Sequence, residues 1–160
     1  MPSSDSVGYL IKRVQQALRN SLDSALADLG LTTAQYNVLF NLSRNPGASS
    51  AELTRQSFVK PQTMIRIVRG LEHRGFLARN PSTRNRHILE AHLTVDGARV
   101  LRAAQGRVDS IQSRMLARIQ TSDVERLASW LSAMASELED EKHGLVSRTR
   151  RTQSGHSGSR

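Results

Sequence analysis

The sequence predicts a mainly α-helical fold with a small β-hairpin wing, a winged helix-turn-helix carrying N- and C-terminal dimerisation helices. Three observations predict it. Apolar residues recur at three- and four-residue spacing over most of the chain, which is the helical period. A short helix, a tight turn and a second helix with a basic outer face follow one another between Ser49 and Arg74. Directly after them, two short segments of strand character flank a stretch rich in turn formers.

The first amphipathic stripe is Val7, Leu10, Ile11, Val14, Leu18, Leu22, Leu26 and Leu29, ended by Gly30 as a C-terminal cap. Thr32 with Gln35 reads as a capping box opening a second helix that stops at Asn45-Pro46-Gly47. The same signature at Ser49 and Glu52 opens a short third helix, AELTRQSF. Pro61, favoured at the first helical position, starts a fourth that runs to Arg74. In that helix Met64, Ile67, Val68 and Leu71 form one buried stripe, so Gln62, Arg66, Arg69 and His73 lie opposite it with Thr63 and Ile65 on the flanks.

FLARN and HILEAHL are the strands of the hairpin, with Leu89, Ala91 and Leu93 on one face. Helical spacing returns from Thr94 through Ile119, and a capping box at Ser122 and Glu125 opens a last helix with Val124, Leu127, Leu131, Met134 and Leu138 on its apolar side. The remainder, SRTRRTQSGHSGSR, has no apolar periodicity and reads as a disordered basic tail. The expected organisation is therefore an N-terminal dimerisation helix over 1–30, a winged helix-turn-helix over 31–97, C-terminal dimerisation helices over 98–146 and a tail over 147–160.

The net charge of +9 is unevenly placed. Residues 55–87 hold eight Lys or Arg against one acidic residue, and residues 147–160 hold four Arg and no acid, so the rest of the chain is slightly negative. Charge confined to one internal segment and one tail implies a polyanionic partner. With no cysteine, disulfides, thiolate zinc sites and thiol redox switches are excluded. Without a signal-like N-terminus or an apolar run able to span a bilayer, a cytoplasmic location and no membrane partner are expected.

A helix with a basic outer face after a short helix and a tight turn suits the major groove of double-stranded DNA. LTTAQYNVL, the EL of the first motif helix, PQTM, LEHRGFLAR and LTVDG together resemble the MarR family, the multiple-antibiotic-resistance-type regulators, over residues 31–97. The resemblance implies a homodimer whose terminal helices interleave, each protomer offering one winged motif to one half-site of a palindromic operator. It also implies a small-molecule effector held between the dimer helices and the winged domain, and repression as the commoner behaviour. The apolar stripes agree, since they exceed what one small winged motif can cover, although an intramolecular bundle is the alternative.

The family usually carries Asp-Arg-Arg at the wing tip, where this chain has Asn85-Arg86-His87; a small slip in alignment gives the same role to Arg84. The expected DNA-binding residues are Lys60, Gln62, Thr63, Arg66, Arg69, Arg84 and Arg86, with Lys60 on phosphate and Arg66 on a base. Ile65 is either a thymine-methyl contact or a flank of the core.

His73, His87, His92, His143 and His156 are too scattered for a metal site, and no metal or cofactor is expected. Tyr36, Phe40 and Trp130 read as packing residues. No nucleophile–base pair, phosphate loop or spaced acid pair suggests an enzyme. The rival to a regulator is an architectural or RNA-binding module, and the scarcity of aromatics, six in all, favours duplex DNA over single strands.

Overall fold

The computed structural model describes residues 6–57 and 59–153, with side chains through position 139. It forms two compact units, one ending at Met115 and one beginning at Leu116.

Helix α1 (Val7–Leu26) starts on Ser6, whose Oγ accepts from the Tyr9 amide at 3.2 Å, and ends in a single 3-10 turn (Ala27–Leu29) closed by left-handed Gly30. Helix α2 (Thr33–Arg44) and helix α3 (Ser50–Gln56) both open on the expected capping boxes, and in each the cap hydroxyl and the side chain three residues on satisfy two free amides reciprocally. Helix α4 (Pro61–His73) has Pro61 at its start. Its end is a Schellman turn: the Phe76 amide donates to the Leu71 carbonyl and the Gly75 amide to Glu72, both at 2.9 Å, with Gly75 at φ 72°.

The hairpin is β2 (Leu77–Pro81) and β3 (Leu89–Leu93), antiparallel with Leu77 opposite Leu93 and Pro81 opposite Leu89. A third strand, β1 (Ala48–Ser49), pairs with β3 to give the order β1-β3-β2. Of the three β3 residues expected on the buried face, Ala91 is buried and Leu93 half-buried, but Leu89 is 42% exposed. The pairing explains it: Leu89 sits opposite Pro81 at the distal end of the ladder, next to the loop.

The core of this unit gathers Leu26, Val38, Leu39, Leu53, Met64, Val68 and Leu71, all fully buried. Each such side chain contributes on the order of 1.5–3 kcal/mol. Helix α5 (Val95–Leu116) adds Leu101, Ala104, Val108 and Ile111. Helix α1 is divided along its length. Leu22 and Leu26 belong to the core, whereas Val7, Leu10, Ile11 and Val14, on the same stripe, are exposed. An apolar groove remains between α1 and α5, lined by Val14, Ala17, Leu18, Ser21, Ile111, Arg114 and Met115.

Helix α6 (Thr121–Gln153) makes up most of the second unit. Its first turn is closed by the Gln120 carbonyl, which accepts from Asp123 and Val124, so Ser122 lies inside the helix instead of capping it. The tight turn after α5, with the Ile119 amide on the Leu116 carbonyl, brings Gln120 into the capping position. The helix continues through Gln153, into the segment read as a tail; residues 154–160 lie outside the described residues. Trp130, expected to be packed, is 55% exposed, beside exposed Leu131, Met134 and Leu138. Among the described residues no helix is long and apolar enough to cross a membrane.

Candidate nucleic-acid interface

Helix α4 buries Met64, Val68 and Leu71, and this fixes what it shows to solvent. Gln62, Ile65, Arg66, Arg69 and His73 are exposed, Thr63 is half-buried, and Lys60 is the exposed N-terminal cap residue. Lys60, Gln62, Thr63, Arg66 and Arg69 thus occupy one helix and its first turn. Arg84 and Arg86 form a second group, both exposed on the loop between β2 and β3.

That loop is held by its own hydrogen bonds. The buried Ser82 donates its amide to the Ile88 carbonyl at 2.8 Å, and its Oγ accepts from the Arg84 amide at 3.2 Å. Asn85 closes the tip: its Oδ1 accepts from the His87 amide at 3.0 Å and its carbonyl from the Ile88 amide at 2.9 Å. The Asn85 side chain, at the position where the resemblance leads one to expect an acid, is thus engaged in an Asx turn.

The eight cations of the basic segment divide by whether the protein itself uses them. Arg79 donates from Nε and Nη2 to Glu72 Oε2 at 3.0 and 2.5 Å, and these hydrogen bonds hold the Glu72 carboxyl below the usual carboxylate range. Arg74 reaches back 44 residues, donating to the Gly30 carbonyl at 2.6 Å and to Leu29 at 3.2 Å while its guanidinium lies 4.5 Å from the Phe76 ring centroid. The same turn is gripped from α5, where Arg107 donates to the Ala25 carbonyl at 2.7 Å and pairs with Asp28. Six cations are left: Arg55, Lys60, Arg66, Arg69, Arg84 and Arg86 are exposed and make no salt bridge within 4 Å among the described residues, although Glu52 and Glu72 sense the charges of Arg55 and Arg69 from further away.

Counting charge along the sequence could not make this division. Only Glu72, the sole acid of the segment, signalled that one of the eight was neutralised, and nothing local signalled the carbonyls at Leu29 and Gly30. Arg55, exposed on α3, was not among the expected contacts although it lies on the same basic segment.

A short helix, a tight turn, an amphipathic helix with a free basic face and a hairpin tipped by arginines define a winged helix-turn-helix protein. A model of the MarR family matches residues 29–86. The HTH-type transcriptional repressor Rv2887 of Mycobacterium tuberculosis is 37% identical over 131 residues, covering 82% of this chain and 94% of the relative. The crystal structure of Rv2887 with salicylic acid is similar at a TM-score of 0.67 and 35% identity, covering 84% of this chain and 99% of that one. CouR of Rhodococcus jostii RHA1, solved as a transcriptional repressor bound to a 23-mer DNA duplex, is similar at a TM-score of 0.76 and 27% identity, over 82% of this chain and 94% of that one. The chain belongs to the MarR family of helix-turn-helix transcriptional regulators.

Proposed function

We propose that the chain is a cytoplasmic repressor that binds a palindromic operator as a homodimer and is modulated by a small-molecule effector. The observation that carries this reading is the face of α4, where Gln62, Arg66 and Arg69 are exposed and neither arginine is held in a salt bridge within 4 Å among the described residues. Each protomer lays that face in the major groove of one half-site, with Lys60 on phosphate, Thr63 at the groove wall and the wing tip over the adjacent minor groove. CouR has been solved both with DNA and with p-coumaroyl-CoA, and Rv2887 with salicylic acid, which supports DNA and a small organic ligand as partners here.

Dimerisation is supported by the uncovered half of the α1 stripe and by the apolar residues exposed on α6, which a second chain would bury. Removing α1 altogether is a poor test, because Leu22 and Leu26 would leave the core with it. Ile11→Asp instead places a charge on the exposed half alone. The expected outcome is a folded monomer by sedimentation that no longer prefers a palindromic duplex over a single half-site. A variant that still sediments as a dimer and keeps that preference overturns the assigned interface.

At the wing, Arg86 is expected to enter the minor groove, whose negative potential is greatest where A·T-rich sequence narrows it. Arg86→Ala should therefore weaken operators with A·T-rich flanks most, by about tenfold, the scale of one good charged contact. Arg84→Ala on the same set of flanks tells which arginine holds the role. A loss at Arg86 that is independent of the flanks would place that side chain on phosphate.

A further inference from the structure

We propose that Ile65 is a specificity-determining residue that reads the 5-methyl group of one thymine in each half-site. The inference rests on the assignment of α4 to the major groove and extends it to a residue with no charge and no hydrogen-bonding group. On α4 the apolar side chains divide sharply: Met64, Val68 and Leu71 are fully buried, whereas Ile65 is 43% exposed. Its neighbours one turn away in either direction are Gln62 and Arg69, both exposed and both on the face assigned to DNA. An advance of about 100° per residue puts Ile65 roughly 60° from Gln62 and 40° from Arg69 around the helix. Its position is therefore at the edge of the exposed stripe.

The chemistry of the groove gives such a residue one target. Base edges in the major groove present donors and acceptors that suit Gln62 and Arg66, and one apolar group, the thymine methyl, that suits a branched aliphatic side chain. An apolar side chain between a glutamine and an arginine makes a poor patch for a protein partner, since its polar neighbours would have to be desolvated with it. It makes a good reader of thymine, because the glutamine and arginine place their own partners on adjacent base pairs.

The test uses an operator selected by the full-length protein from a pool of random duplexes. Each thymine in the half-sites is then replaced in turn by deoxyuridine, which removes the methyl and leaves the pairing unchanged. At one position per half-site, uracil should weaken wild-type binding about fourfold, the worth of burying one methyl group. Ile65→Ala should bind thymine and uracil operators equally at that position and keep the wild-type response elsewhere. Ile65→Val, which retains the branch, should keep part of the methyl response and guards against a folding defect in the alanine variant. Wild-type binding indifferent to uracil at every position overturns the proposal, as does an Ile65→Ala variant with the full uracil response. Failure to select any operator at all would overturn the DNA reading beneath it, and is recognisable before any uracil is introduced.

Discussion

Gly97→Ala is expected to destabilise the protein by about 3 kcal/mol or more, a fall in melting temperature of roughly 10 °C for a chain of this size. A Cβ built on Gly97 would stand 1.8 Å from the Phe76 carbonyl oxygen, a distance no side chain tolerates. Neither partner is free to yield. The Phe76 carbonyl accepts from the Thr94 amide at 3.2 Å, and Thr94 Oγ1 donates to the Gly75 carbonyl at 2.5 Å while accepting from the Gly97 amide at 3.0 Å. Thr94 thus caps α5 and ties its first turn to the root of the wing, and only a residue without a side chain lets the two backbones meet there.

The sign of the effect is diagnostic, because glycine to alanine within a helix ordinarily stabilises by about 0.5–1 kcal/mol. Gly106, exposed on the same helix with nothing within 4 Å of its built Cβ, supplies the comparison, and Gly106→Ala should raise the melting temperature slightly. Thermal unfolding of both variants checks the pair. An unchanged melting temperature for Gly97→Ala would mean that α5 can lift from the wing root at little cost.

Arg66→Ala is expected to weaken operator binding by about 1–3 kcal/mol per half-site, roughly fivefold to 150-fold, and to blur the preference at one base pair in each. Arg66 is exposed on α4 and has no ion-pair partner among the described residues, so no internal bond has to break before its guanidinium meets a guanine edge. On the palindromic operator proposed above, the two half-sites would compound the loss. Binding measured on the operator, on single base-pair variants of it and on random duplex separates base contact from phosphate contact. Equal weakening on operator and random DNA would place Arg66 on the backbone and rotate the reading face of α4. Arg66→Lys should restore affinity for random duplex without restoring the base preference, because an ammonium cannot make the two parallel bonds of a guanidinium.

The features legible in the sequence were those whose cause is local. The capping boxes at Thr32 and Ser49 involve residues three apart, and the stripe of α4 needs only its own periodicity, so both could be read directly. Strand β1 could not be read, because two residues carry no alternation and Ala48 is a strand residue only by virtue of Ala91 opposite it. The same holds for the arginines. Whether Arg74 faces a phosphate or the Gly30 carbonyl depends on where a turn 44 residues earlier comes to lie. Trp130 was misleading in another way: helical spacing marks a residue as apolar-face without saying whether anything in its own chain covers it. For Ile65, periodicity placed the residue on a flank, and only its exposure in the fold, against the full burial of Met64, Val68 and Leu71, decided that it faces outward.

The internal use of Arg74 and Arg79 bears on how binding should respond to ionic strength. Each phosphate neutralised on duplex DNA releases condensed counterions, so that the logarithm of the binding constant falls by about 0.9 per contact for each tenfold rise in salt. A cation already held by a carboxylate or by backbone carbonyls takes no part in that exchange. The winged segment therefore brings to the duplex at most the six cations of residues 55–87 that no salt bridge or backbone carbonyl holds, a ceiling of about five on its share of the slope per protomer. Where the measured dependence is steeper, the excess is drawn from outside the winged segment, and the arginines at 148, 150, 151 and 160 are the densest remaining supply.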